Sequence, residues 1–90
     1  MGEIYMINNK VTNKKYIGQT KYTAERRYKE HIAEAFNTKT NLKLYNSIRK
    51  HGVENFELIV LEKDVLEEDL DTLEIYYIDK FDTFNNGYNN

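Results

Sequence analysis

Two short apolar runs separated by turn formers, Glu3 to Asn8 and Lys15 to Gly18, constrain this chain more than any other feature. In the first run Ile4 and Met6 alternate with Tyr5 and Ile7, the period of a strand. Asn8-Asn9 and Thr12-Asn13 favour turns, so the second run reads as the returning strand of a hairpin. Side chains on a strand repeat with period two, and a slip of one residue moves a whole set to the opposite face. Tyr5 and Tyr16 therefore share a face only if opposed positions sum to an odd number. Tyr5 opposite Gly18 and Ile7 opposite Tyr16 is such a register.

After the hairpin the period changes. Thr23 is the N-cap candidate of a helix running to about Phe36, with Tyr28, Ile32, Ala35 and Phe36 as its apolar stripe. Arg27 and His31 lie one turn apart at the edge of that stripe, where stems pack and polar heads reach a groove. Asn37 to Thr40 reads as a loop. Asn41 to Lys50 reads as a second helix, with Leu44, Tyr45 and Ile48 inward and Gly52 as an αL cap. Phe56 to Leu61 alternates as a third strand. Asp64 and Glu67 form a start signal for a third helix reaching about Phe81, with Leu66, Leu70, Leu73 and Tyr77 as its core stripe. Asp82 to Asn90 is rich in turn formers. With no linker, repeat or low-complexity tract, residues 1–90 read as one domain.

A chain this short buries only about 60–65% of its unfolded surface. Its eight Tyr and four Phe compensate for a hydrophobic fraction of 40%, which argues against disorder. The absence of Cys excludes disulfides and thiolate metal sites. No segment resembles a signal peptide, and none approaches the roughly 20 apolar residues of a membrane helix. The expectation is a cytoplasmic protein with no membrane partner. Net charge is −2, but from Lys10 to His51 eleven Lys/Arg oppose three Glu, a net of +8. From Gly52 onward two Lys oppose eleven Asp/Glu, a net of −9. A basic first half suits a phosphate backbone, with Lys21, Lys43, Arg49 and Lys50 as candidate contacts. The plainer alternative is two solvated faces that neutralise each other.

Several polar residues carry chemistry if the fold gathers them. Glu74 lies between Leu70 and Ile78 on one row of the third helix, inside its apolar sector. A buried carboxylate there needs a cation or hydrogen bonds, unless its head simply reaches water. Arg27 offers a planar fork for a phosphate oxygen, or is an ordinary surface arginine. His31 is either a proton carrier or an edge-of-core histidine. Tyr5 and Tyr16 are either strand-packing residues or proton-handling phenols, and a phenol serves as a base only beside a cation. Asn89 either orients a neighbouring group or is a turn asparagine.

Taken in order, these residues resemble the GIY-YIG nuclease domain over nearly the whole chain. Glu3-Ile4-Tyr5 is similar to the first signature, with Glu in place of its usual Gly. Tyr16-Ile17-Gly18-Gln19-Thr20 is similar to the second. Arg27-Tyr28-x-x-His31 resembles the family's helix motif, Leu73-Glu74-x-Tyr76-Tyr77-Ile78 its metal-binding glutamate motif, and Asn86-Gly87-Tyr88-Asn89 its closing motif. The resemblance implies an α/β fold, a small three-stranded antiparallel sheet flanked by helices. It implies a metal-dependent DNA endonuclease with one Mg²⁺ or Mn²⁺ on Glu74 and no small-molecule cofactor. Arg27 would hold the scissile phosphate, Tyr5, Tyr16 and His31 would orient or deprotonate water, Asn89 would brace the site, and Gly18 would serve the backbone. Some branches carry Lys after the second signature where this chain has Gln19, leaving Lys21 as the neighbouring substitute. The residue in position 3 also keeps open a DNA-binding module without turnover. Nothing in the residues specifies an oligomeric state.

Overall fold

A computed structural model describes residues 1–40 and 42–89. Three strands, β1 (Gly2–Asn9), β2 (Lys15–Thr20) and β3 (Phe56–Val65), form one antiparallel sheet in the order β2-β1-β3. The helices are α1 (Ala24–Asn37), α2 (Lys43–His51), α3 (Glu67–Phe81) and a single turn, α4 (Thr83–Asn86). This is the fold expected from the resemblance. No helix among the described residues is long and apolar enough to cross a membrane.

The hairpin register is the one that puts both tyrosines on one face: Tyr5 opposes Gly18 and Ile7 opposes Tyr16. The alternation of β1 then divides the core in two. Tyr5 and Ile7 pack with Ala24 and Ala35 of α1, with Leu44, Tyr45 and Ile48 of α2, and with Phe56 and Tyr88. On the other face Ile4, Met6 and Ile17 pack against Val65 and Leu70, with Leu73, Tyr77, Ile78 and Phe81 of α3 around them. The sheet is thus a partition between α1–α2 and α3, and only its edges let groups from the two sides meet.

Several local expectations are corrected. β3 runs on to Val65 instead of stopping at Leu61, and a bulge lets it keep pairing: Ile4 faces Glu62 while Tyr5 faces Val60. Asp64 lies in that strand at φ 55°, so it does not cap α3; Leu66 does, without a side-chain bond. Leu66 is therefore 49% exposed and leaves the core stripe. On α1 the buried residues are Ala24, His31 and Ala35, and Phe36 is 55% exposed. A hydrogen-bonded imidazole thus joins the core while Phe36 turns out of it. α2 starts at Lys43, and the expected start at Asn41 lies outside the described residues. Gly52 does have positive φ (87°), but its ψ of 143° is extended, not αL; its N–H still closes the helix on the Ile48 carbonyl at 2.9 Å. The tail holds α4 after Asp82, which is αL, and Asn90 lies outside the described residues.

Gly18 is a position of tight steric demand on the face of the sheet that carries both tyrosines. A Cβ there would fall on the Tyr5 hydroxyl and ring, so the tyrosine lies across a strand residue that has no side chain. Gly18→Ala is expected to destabilise the protein by about 1–3 kcal/mol through overpacking. A urea melt checks this, and an unchanged midpoint would contradict the packing described.

Candidate active site

Tyr5 projects from the middle of the sheet, and Tyr16 from the adjoining edge strand. His31 reaches them from α1. Ring centroids are 6.4 Å apart for Tyr5 and Tyr16, 6.0 Å for Tyr5 and His31, and 5.4 Å for Tyr16 and His31. The Tyr5 hydroxyl lies 2.8 Å from His31 Nε2, and the Tyr45 hydroxyl 2.9 Å from Nδ1. Tyr45 in turn donates to Glu34 Oε2 at 2.5 Å. Both imidazole nitrogens are therefore occupied. The Tyr16 hydroxyl has no hydrogen-bond partner among the described residues, and Tyr16 lines a cleft of about 230 Å³ with His31, Tyr45 and Asn89.

Charge meets these rings from both sides. Burial raises the Tyr16 phenol, the Glu74 carboxylate raises it further, and the Arg27 guanidinium opposes them. Tyr5 is raised in the same way, chiefly by burial and by Tyr16. One phenol thus lies in the field of a cation from α1 and of a carboxylate from α3. Glu74 reaches it from the opposite face because β2 is an edge strand. Arg27 Nη1 lies 3.1 Å from Glu30 and 3.4 Å from Glu34 and is partly exposed, so the head is oriented but not sealed.

Glu74 has no cationic partner among the described residues. Its Oε1 accepts from Gln19 Nε2 at 3.1 Å, and the same amide nitrogen lies 2.6 Å from Asp71 Oδ1. Burial raises the Glu74 carboxyl and the charge of Asp71 adds to the rise, while the Gln19 bond opposes it. A half-buried carboxylate beside a second one, with only an amide between them, suits a divalent cation. No group of three His, Cys, Asp or Glu among the described residues is placed to hold a metal ion. The pair of carboxylates is the donor set that suits Mg²⁺, which keeps several waters and takes one or two carboxylates plus substrate phosphate.

Asn89 is 8% exposed and does not point into solvent as a turn asparagine would. Its Oδ1 accepts from the Ile17 N–H and its Nδ2 donates to the Ile17 carbonyl, both at 2.8 Å. Substituting for a missing neighbour strand, it clamps the free edge of β2 between Tyr16 and Gly18. The clamp is itself held, because Tyr88 N–H bonds the Lys15 carbonyl at 2.9 Å and the Tyr88 hydroxyl meets Ser47 and buried Asn9.

Glu3 accepts from the Ala24 N–H at 2.7 Å, and Thr23 accepts from Arg26 N–H at 3.2 Å. A carboxylate at a helix N-terminus is favourable. The departure from the usual Gly thus has a structural task, fixing the start of the helix that carries Arg27 and His31. Among the basic candidates, Lys21, Lys43 and Lys50 are exposed, Lys21 with Glu67 4.0 Å away. Arg49 is half-buried and donates to the carbonyls of Ala35 (2.6 Å) and Thr40 (2.9 Å), so its guanidinium braces the α1–α2 connection. Tyr45, Glu34 and Asp71 were not among the candidate site residues read from sequence: Tyr45 read only as core, and Gln19 entered only as a departure from the family pattern.

Burial and nearby Arg27 hold His31 down at about 4, so the ring is neutral at physiological pH. Its ordinary value is about 6.5. A folded value below the unfolded one means stability is fully present above about 6.5 and is lost as pH falls from there towards 4. Glu34, held low by the Tyr45 hydrogen bond, adds to the loss at still lower pH. The melting temperature of the wild type is expected to fall more steeply between pH 7 and 4.5 than that of His31→Gln. Parallel slopes would show that His31 is not buried as described.

A family model described as the GIY-YIG catalytic domain matches residues 1–89. The chain is 36% identical over 93 residues to "Uncharacterized protein 019R" of Invertebrate iridescent virus 6, covering 99% of this chain and 33% of that protein. It is 36% identical over 88 residues to "Intron-associated endonuclease 1" of Enterobacteria phage T4, covering 96% of this chain and 35% of that protein. It therefore spans about a third of the length of these curated relatives. Among solved structures, the catalytic domain of homing endonuclease I-TevI superposes with a TM-score of 0.86 at 31% identity, over 99% of this chain and 97% of that one. A mutant form of the same domain gives 0.87 at 34% identity, over 99% and 93%.

Proposed function

The chain belongs to the GIY-YIG catalytic-domain family, and from that premise we propose that it is a divalent-metal-dependent DNA endonuclease. It hydrolyses phosphodiester bonds to 5′-phosphate and 3′-hydroxyl ends, with weak sequence preference of its own. The observation that carries this reading is the placement of Tyr16. An unpartnered phenol lies in the opposed fields of Arg27 and Glu74, beside a cleft.

The residues divide the work. Arg27 holds a non-bridging oxygen and meets the charge that develops on phosphorus. Tyr16 and Tyr5 orient the attacking water in line with the leaving oxygen, and His31 fixes Tyr5. Gly18 lets Tyr5 reach the sheet edge, and Asn89 keeps that edge straight. Glu74 would hold one Mg²⁺ or Mn²⁺, which would supply Lewis-acid stabilisation of the leaving oxygen. The Glu74 charge that raises Tyr16 is the charge a cation would neutralise. Lys21, Lys43 and Lys50 contact the backbone of the duplex, which makes affinity salt-dependent.

The alternative of a binding module without turnover rested on Glu3. The bond from the Ala24 N–H gives Glu3 a structural task that is compatible with either reading, and turnover is what separates them. Which group takes the proton from water is tested by pH–rate profiles. An unchanged rate in Tyr16→Phe would eliminate its phenol as base, and an unchanged profile in His31→Ala would eliminate the imidazole. The function itself is tested by end chemistry. Fragments cut from a linear duplex with Mg²⁺ are expected to be resealed by DNA ligase directly. Fragments that need prior phosphorylation or 3′-phosphate removal would contradict it.

A further inference from the structure

Among the described residues, Glu34 is the one carboxylate hydrogen-bonded into the ring cluster, and it has no role so far in the reaction. We propose that Glu34 is a positioning residue: through the Tyr45 hydroxyl it holds His31 in the Nδ1–H form, which makes Tyr5 donate to Nε2 and turns the Tyr5 lone pairs towards the attacking water.

The direction follows from counting protons. Tyr45 has one O–H and gives it to Glu34 Oε2 at 2.5 Å; an ionised carboxylate only accepts. At the 2.9 Å contact with His31 Nδ1, the Tyr45 oxygen must then accept, so Nδ1 carries the hydrogen. A neutral imidazole has one N–H, which leaves Nε2 as a lone pair. The 2.8 Å contact there is consequently a bond donated by Tyr5. With its only proton committed, the Tyr5 oxygen accepts from whatever else approaches. A water bound there points a hydrogen at Tyr5 and a lone pair elsewhere. The ionisation states agree: burial keeps His31 neutral, and the Tyr45 bond keeps Glu34 ionised. Glu34 also lies 3.4 Å from Arg27, so one carboxylate orients the phosphate-holding arginine and sets the polarity of the hydrogen-bond chain.

The consequence for catalysis rests on the proposed nuclease function, but the tautomer does not. It is read from long-range ¹H–¹⁵N correlations of the ring in ¹⁵N-labelled protein at pH 7.5, without DNA or metal, the His31 signals being assigned by their loss in His31→Gln. The wild type is expected to show a protonated Nδ1 and a bare Nε2. The opposite pattern overturns the proposal. In Glu34→Ala the Tyr45 proton is released, and a mixture of the two forms is expected, with kcat about 10-fold lower and KM unchanged. Glu34→Gln retains an oxygen that accepts from Tyr45, so it is expected to keep both the wild-type tautomer and most of the rate. Wild-type nitrogens in Glu34→Ala, or a raised KM at unchanged kcat, would overturn the assignment. Failure of every protein to cut DNA, wild type included, would contradict the nuclease reading instead, and the spectra tell the two apart.

Discussion

Glu74→Ala is expected to lower Mg²⁺-dependent nicking of supercoiled DNA by about 10³-fold or more, because charge stabilisation by the metal is worth several kcal/mol and each 1.4 kcal/mol is tenfold. The neighbouring carboxylate of Asp71 is not expected to take over. Asp71 shares the Gln19 amide with Glu74, but the field that reaches Tyr5 and Tyr16 is that of Glu74. The loss should not come from unfolding. Burial and Asp71 already make the ionised Glu74 uncomfortable, and alanine is the best helix former for that position of α3. The melting temperature of Glu74→Ala is thus expected to equal or slightly exceed that of the wild type. Nicking at the wild-type rate, in a preparation cleared of contaminating nucleases, would remove Glu74 from the site.

The second large effect is at Arg27. Arg27→Ala is expected to slow single-turnover cleavage by about 10²–10³-fold, the cost of losing one preorganised transition-state donor. Arg27→Lys should recover little of it, since an ammonium cannot present a planar fork to a phosphate. Stability should change by less than about 1 kcal/mol, because the pairs to Glu30 and Glu34 are partly exposed. The rate and the melt therefore separate: a large fall in rate with an intact fold supports the role. A change in rate below about threefold would assign Arg27 to the helix surface and leave the phosphate without its clamp.

Much of this arrangement was legible in the sequence, and the reasons are specific. The parity of β1 and β2 is a property of alternation, so the shared face of Tyr5 and Tyr16 follows once the hairpin is read. The inward faces of α2 follow from its period, and Leu44, Tyr45 and Ile48 are all buried. What periodicity does not carry is the partner of a buried polar atom. Tyr45 is inward, as its position predicts, but its hydroxyl meets His31 fourteen residues earlier, across a helix pair whose packing no local pattern encodes. Asn89 is a still longer case, bonded to Ile17 over 72 residues. Leu66 and Phe36 were misplaced for a related reason. Local stripes favour the apolar residue at a helix end, whereas the end is set by where the chain turns. At Asp64 the positive φ lies inside a strand, and its Asp-x-x-Glu spacing reads instead as a helix start.

Glu3 shows how a departure from a motif gains meaning only in three dimensions. Read along the chain, it replaces a residue of the first signature. In the fold it meets the first free N–H of α1 and joins the strand of Tyr5 to the helix of Arg27 and His31. Asn89 and Glu3 thus act alike, each fixing a backbone segment that carries a neighbouring candidate site residue.

The most direct measurement is the conversion of supercoiled plasmid to the nicked form by purified wild-type protein, followed over time with Mg²⁺, with Mn²⁺ and with EDTA. Nicking with either metal, abolished by EDTA and restored by added Mg²⁺, is the predicted result. Equal nicking in EDTA, or intact plasmid with every divalent ion despite salt-sensitive DNA binding, would contradict a cation-dependent site built on Glu74 and Arg27.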